Sequence, residues 1–139
     1  MVEPEMSTKD RQKTHLSLSA ELAGTVEWIE EGRSAEVTLC VGEKMRVDDQ
    51  GLIHGGFTFG LADYASMVAV NDPFVVLISA QVFFRKPVMV GDRLKARANI
   101  THVEGANRRV SCQVVNQDGA KVFEGEFLCR VLSKHVLTS

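Results

Sequence analysis

The chain has 139 residues, the size of one domain, and its 45% hydrophobic and 24% charged content excludes an intrinsically disordered protein. A net charge of −2 leaves no electrostatic footprint for nucleic acid. No apolar run is long enough to span a bilayer, and the first residues lack the basic-then-apolar order of a signal peptide, so no membrane partner and a cytoplasmic location are expected.

Met1 to Thr14 is polar and charged and is expected to fray or be disordered, leaving residues 15–139 as a single domain. A DNA-binding helix-turn-helix does not fit into so short a stretch. His15 to Gly24 is read as a short helix under one edge of a sheet. Thr25 to Glu31 and Arg33 to Val41 read as two strands joined at Glu31-Gly32, because Ala35, Val37, Leu39 and Val41 alternate with Ser34, Glu36, Thr38 and Cys40. A polar loop, Lys44 to Gln50, follows.

From Phe57 to Val70 every residue is apolar or small except Thr58, Asp63, Tyr64 and Ser66. A helix apolar nearly all round is a buried one. Its one charge, Asp63, needs a reason, since burying a carboxylate without a partner raises its pKa or costs several kcal/mol. Either hydroxyl or backbone groups satisfy it, or it does chemistry. Before the helix, His54-Gly55-Gly56 puts two side-chain-free amides where a helix start has unpaired N–H groups, a place that attracts negative charge. An oxyanion formed from a thioester carbonyl would be stabilised there. The glycines also fit a purely conformational or packing role. His54 reads equally as a residue that shapes the turn or as a neutral donor, its basicity lowered by the helix start. Asp63 follows His54 by nine residues, about 13 Å of helical rise. One chain therefore does not place both at one reacting carbon, whereas two antiparallel helices would, which predicts a dimer.

Asn71-Asp72-Pro73 closes the helix, and Val75 to Lys86 is expected as a strand with bulk on both faces, as for contact with another subunit. Val90-Gly91-Asp92 is a turn. Leu94, Ala96, Ala98 and Ile100 then alternate with Lys95, Arg97, Asn99 and Thr101 in a one-sided strand. Turns at Glu104-Gly105 and Asp118-Gly119 separate two more strands, Arg108 to Asn116 and Val122 to Val131. Roughly six strands and one long helix, joined by short turns, make an α+β pattern rather than β-α-β alternation.

The string D-x-x-G-x-x-H-G-G-x-x-x-x-L-A-D, running from Asp48 through Gly51, His54, Gly55 and Gly56 to Leu61, Ala62 and Asp63, resembles the central motif of hotdog-fold acyl-CoA thioesterases of the phenylacetate-pathway type. FRKPVMVGDRL, Phe84 to Leu94, resembles the strand and turn that follow in that family. The resemblance implies a hotdog fold, a long helix wrapped by an antiparallel sheet, with dimers or dimers of dimers whose active sites borrow residues from both chains. It implies an acyl-CoA substrate and no cofactor beyond the CoA moiety itself. Asp63 falls on the family's catalytic carboxylate, Gly55 on its oxyanion-binding amide and His54 on its helix-start histidine, with Gly56 beside the thioester. Asp48 stands where many members carry asparagine, and a second carboxylate beside Asp63 would raise one of the two pKa values. The closing FEGEF and SKH segments resemble the acyl-CoA-sensing hotdog domain of a bacterial fatty-acid-synthesis repressor. An acyl-CoA binding module that does not hydrolyse is therefore the alternative function.

Neither a G-x-S-x-G elbow, an H-E-x-x-H pair nor a G-x-G-x-x-G turn is present. His102 and His135 have no companion at metal spacing. Cys40, Cys112 and Cys129 are read as buried thiols behaving as small hydrophobes. The basic residues Arg85, Lys86, Arg93, Lys95, Arg97, Arg108 and Arg109 border, by resemblance, the nucleotide end of CoA. Arg85 and Lys86 are the best phosphate candidates, against the ordinary reading of a solvated face.

Overall fold

The computed structural model describes residues 11–138. Six strands form one antiparallel sheet in the order β1-β2-β4-β5-β6-β3, and a long helix crosses it. The strands are β1 (Thr25–Glu30), β2 (Ser34–Cys40), β3 (Val75–Phe84), β4 (Arg93–Glu104), β5 (Asn107–Val115) and β6 (Lys121–Val131); two helices within the described residues are α1 (Ala20–Ala23) and α2 (Gly55–Val70). This is the hotdog architecture expected from the sequence.

The one-sided alternation of β4 sets the inner face of the sheet. Leu94, Ala96 and Ala98 are buried, and Lys95, Arg97 and Asn99 point to solvent. Ala96 pairs with Val37 and Ala98 with Ala35 across the β2–β4 ladder, so small side chains floor the sheet where α2 lies. The helix answers with Leu61, Ala62, Ala65, Met67, Val68 and Ala69, all buried. Gly24, at φ +118, makes a second close approach: a Cβ there would stand 2.8 Å from the Thr38 carbonyl oxygen. No larger residue fits between α1 and β2.

The expected helix start moves by two residues, since Gly55 and Gly56 are already helical. The end is as expected. Asn71 takes the left-handed conformation, φ 54 and ψ 43, and its N–H donates to the Met67 carbonyl, a local C-cap that asparagine tolerates. β3 ends at Phe84 instead of Lys86, because the amides of Arg85 and Lys86 both turn to the Val122 carbonyl. The strand lies at the edge of the sheet. Cys112 and Cys129 are buried and Cys40 is exposed, which corrects the reading of three buried thiols: Cys40 follows the inward Leu39 on β2 and therefore points out.

Residues 11–14 correct another expectation. The boundary at Thr14 rests on polarity, and the part of that segment before residue 11 lies outside the described residues. Residues 11–14, however, are docked on the C-terminal end of α2. Lys13 N–H donates to Asn71 Oδ1 at 2.8 Å, Asn71 Nδ2 donates to the Arg11 carbonyl at 2.9 Å, and Gln12 Nε2 donates to the Tyr64 hydroxyl at 3.0 Å. Thr14 is buried, and His15 stacks on the Tyr64 ring at 6.0 Å. Polar side chains are here held by polar partners at a helix end. Asn71→Ala removes both backbone anchors and the left-handed preference, so it should cost about 1–3 kcal/mol in urea unfolding. Limited proteolysis should then cut first near residues 11–14.

Candidate active site

The start of α2 is built by two close contacts. His54 holds the N-cap position without a capping bond from its side chain. Its amide donates to the Met45 carbonyl at 2.9 Å, and its carbonyl accepts from Phe57 N–H at 3.1 Å. The imidazole instead folds over Gly56, where a Cβ would stand 2.8 Å from Nε2, and meets the Phe57 ring edge-on. Gly55 is covered by Phe84, whose Cε1 would be 3.1 Å from an added Cβ. Neither glycine has a positive φ, so packing, not backbone freedom, explains them. Their amides meet no backbone acceptor among the described residues, which leaves two donors at the positive end of the helix.

A cavity of about 330 Å³ opens beside Gly55, lined among others by Leu52, Thr58, Phe84, Arg85 and Lys86. Three predicted residues, Gly55, Arg85 and Lys86, thus share one space. Arg85 is not a free cation there. Its Nε donates to Glu124 Oε2 at 3.1 Å, and its guanidinium lies 4.5 Å over the Phe83 ring. The other basic residues do not form one cluster with these two. Arg93 and Lys95 line a separate cavity with Cys40, and Arg97 stacks on Trp28 at 4.9 Å.

Asp63 lies elsewhere. Eight residues of continuous helix separate it from Gly55, about 12 Å of rise, and it does not line the Gly55 cavity. Its Oδ1 is closed off from solvent and has no hydrogen-bond partner among the described residues. Burial pushes its pKa from 3.8 up to about 6. Its surroundings follow from the register of helix on sheet. Phe59, one turn earlier, packs on Phe127 at 5.6 Å, and two strand residues advance about as far as four helical ones, roughly 6 Å. Asp63 thereby comes opposite the Cys129 side of β6. The Cys129 thiol is pushed up to about 12, first by its own burial and then by the Asp63 charge.

Asp48 corrects the sequence reading. Within the chain it is not beside Asp63, and it adds nothing to the rise in Asp63 pKa, whose cause is burial. It is exposed, and its Oδ1 accepts the amides of Gln50 and Leu52 at 3.0 and 3.2 Å, fixing the loop ahead of the helix as an Asx turn. Sequence reasoning missed Phe84 as a site residue. The signal was there in its place directly before the two basic residues. Among the described residues no group of three or more histidine, cysteine or acidic side chains is arranged to hold a metal, and no helix is long and apolar enough to cross a membrane.

A hotdog sheet wrapped on a helix that carries free N-terminal amides and a half-buried carboxylate defines a class, and residues 50–123 match the model of the thioesterase superfamily. The chain belongs to that superfamily. It is similar over its whole length to the uncharacterized protein PH1136 from Pyrococcus horikoshii, with a TM-score of 0.88, 48% identity, and 99% of this chain and 100% of that chain covered. The Escherichia coli PaaI protein from the phenylacetic acid degradation operon superposes with a TM-score of 0.75 at 28% identity, over 82% of this chain and 83% of that one. Among curated proteins, methylthioribose-1-phosphate isomerase of Aquifex aeolicus is 48% identical over 115 residues, 83% of this chain and 25% of that protein. Transcription factor FapR of Shouchella clausii is 33% identical over 88 residues, 63% of this chain and 45% of that protein. The chain thus spans less than half the length of either curated relative.

The raised pKa of Asp63 makes the carboxylate a liability for folding. Well below the unfolded value of 3.8 it is protonated in both folded and unfolded chains and carries no cost. As pH rises from there to about 6 the unfolded chain ionises while the folded chain holds its proton, and stability is lost across that window. Asp63→Asn should therefore stabilise the protein at pH 8 by on the order of 1–3 kcal/mol and leave it unchanged well below pH 3.8. Chemical denaturation at the two pH values measures the difference.

Proposed function

We propose that the chain is an acyl-CoA thioesterase, hydrolysing the thioester of an acyl-CoA or acyl-carrier substrate to free acid and thiol. One observation carries the reading: a single helix bears amides at Gly55 and Gly56 that meet no backbone acceptor among the described residues, and a half-buried carboxylate at Asp63 whose Oδ1 meets no donor among them and whose pKa is near neutrality. A base poised near the working pH suits proton transfer from water, and helix-start amides suit the charge that grows on a carbonyl oxygen. Water attacks the thioester carbon and gives its proton to Asp63. The oxyanion is held by the Gly55 amide, and its collapse breaks the C–S bond, the thiolate leaving with the proton returned from Asp63. Direct attack by Asp63, through a mixed anhydride that water then opens, uses the same groups. His54, exposed over Gly56, shapes the amide pair. Arg85 and Lys86 flank the cavity as contacts for the CoA phosphates.

The 12 Å between Gly55 and Asp63 is closed by a second copy. With the two helices antiparallel, Asp63 of one chain reaches Gly55 of the other. The exposure of Ile78, Phe83 and Phe84 on the edge strand β3 supports such pairing, because an uncovered apolar edge invites another strand. The homodimer, singly or as a dimer of dimers, is then the active unit.

A second reading, a module that binds acyl-CoA without turnover, is favoured by the similarity to FapR, whose printed name is that of a transcription factor. Thiol release and calorimetry on wild type and Asp63→Asn, with short, aromatic and long acyl-CoAs, separate the two. Under the thioesterase reading Asp63→Asn still binds while turnover falls at least about a hundredfold. Wild-type kcat/KM should decline below about pH 6, not below the ordinary aspartate range. Turnover that survives in Asp63→Asn defeats the assignment; micromolar binding with no thiol release in wild type moves the answer to the second reading. In sedimentation, an active monomer would refute the shared site.

A further inference from the structure

Thr58 stands one turn inside α2 and is 2% exposed, yet its hydroxyl makes no hydrogen bond among the described residues. A buried hydroxyl on a helix ordinarily returns to the carbonyl one turn back. Ser66 does so, donating to the Ala62 carbonyl at 2.8 Å. The carbonyl one turn back from Thr58 is that of His54, which accepts from Phe57 N–H at 3.1 Å and not from the threonine. The Thr58 oxygen is not sealed away either. Among the described residues, the side-chain atom that is both closed to solvent and unpartnered is Asp63 Oδ1. What Thr58 opens onto is the Gly55 cavity, which it lines.

The rest of that cavity offers a ligand little to bond to. Leu52, Ile53, Pro87, Val88 and Val122 make its wall apolar, and Arg85 and Lys86 are exposed. Of the described residues that line it, Thr58 alone is both polar and buried. A hydroxyl held there without a partner costs stability, and valine, of nearly the same shape, would fill the site without that cost. Its place relative to the helix start gives it a different use. Thr58 follows Gly55 by three residues, about 4.5 Å of rise, and residues three apart share a helix face. Helical side chains lean toward the N-terminus. The hydroxyl therefore reaches back over the turn whose first amide, that of Gly55, meets no backbone acceptor among the described residues. One oxygen atom placed on that face is within reach of both donors.

We propose that the Thr58 hydroxyl is a second donor to the thioester carbonyl oxygen, beside the Gly55 amide, an inference that rests on the thioesterase reading of Gly55 and Asp63. As water attacks the carbonyl carbon and gives its proton to Asp63, the π pair of the C=O bond moves onto oxygen. That oxyanion accepts one hydrogen bond from Gly55 N–H and one from Thr58 O–H. The hydroxyl transfers no proton and is unchanged when the pair returns and the C–S bond breaks. Because loss of one oxyanion donor costs about a hundred- to a thousandfold in kcat, Thr58→Val should lower kcat by about a hundredfold and leave KM within about threefold. Thr58→Ser keeps the hydroxyl and drops only a methyl, so it should stay within about tenfold of wild type.

The experiment measures kcat and KM for butanoyl-, benzoyl- and dodecanoyl-CoA on wild type, Thr58→Val and Thr58→Ser, with urea unfolding of each protein. It is paired with calorimetry of two non-hydrolysable analogues of the same acyl groups: a ketone, in which CH2 replaces the sulfur and the carbonyl stays, and a thioether, in which the carbonyl is gone. Thr58→Val should weaken the ketone about tenfold, the worth of one hydrogen bond, leave the thioether unchanged, and be no less stable in urea than wild type. An unchanged kcat in Thr58→Val overturns the proposal, and so does a ketone affinity that falls no further than that of the thioether. Absence of thiol release from every protein instead overturns the thioesterase reading. In that case the two analogues still decide Thr58: its role toward the carbonyl oxygen stands if Thr58→Val weakens the ketone alone, and falls if both shift together or neither shifts. Should Thr58→Val not fold, Thr58→Ala against Thr58→Ser makes the same comparison.

Discussion

The structure depends on covering a helix that has no polar face. α2 is buried along most of its length, and a helix of that kind is stable only if apolar surface meets it on every side. The sheet supplies one side through its small-residue floor, Ala35, Ala96 and Ala98. The β1–β2 turn supplies another contact, with Gly32 N–H donating to the Ala69 carbonyl at 3.1 Å. Residues 11–15 close the C-terminal end. What stays uncovered is a stripe one turn apart, Gly56, Gly60 and Asp63, and an added Cβ on Gly60 would meet nothing within 4 Å. The least covered face of the helix is also the one that carries the proposed catalytic carboxylate.

That coincidence gives Asp63 its character. A carboxylate on a mostly apolar helix, with one oxygen sealed and meeting no donor among the described residues, is costly to ionise. Ser66, three residues on, shows the contrast: its hydroxyl bonds back to the Ala62 carbonyl at 2.8 Å and is satisfied locally. A fold shaped by stability alone would treat position 63 as it treats position 66. Uncompensated burial of a titratable group in a partly open stripe is the pattern that functional sites share.

Much of this was legible in the sequence, and the failures have definite physical causes. The β4 alternation and the apolar run of α2 are local periodicities, so the fold class followed from them. The spacing from His54 to Asp63 sets their separation along the helix. By contrast, the docking of residues 11–14 depends on Asn71, some sixty residues away, and a polar segment looks the same whether water or asparagine satisfies it. Asp48 was misplaced because motif spacing says how far apart two residues are along the chain, not which amides a carboxylate will accept. The basic residues looked like one cluster because they crowd the sequence between 85 and 109. In the sheet they separate, Arg85 to the Gly55 cavity and Glu124 beside edge strand β3, Arg93 and Lys95 across β6 and β5 to the cavity beside Cys40, Arg97 onto Trp28.

The difference between a thioester hydrolase and a thioester sensor on this scaffold comes down to what faces the carbonyl once it is held. Both need the bare amides of Gly55 and Gly56, because close approach of the ligand backbone is a binding requirement before it is a catalytic one. Only hydrolysis needs a base. An anionic ligand gains nothing from a buried carboxylate in its path, since the charge repels it and resists desolvation. A sensor built on this helix would be both tighter-binding and more stable with a neutral residue at position 63. The aspartate there, costly to ionise where it sits, is therefore the residue on which the proposed hydrolysis and the binding-only reading differ in physical terms.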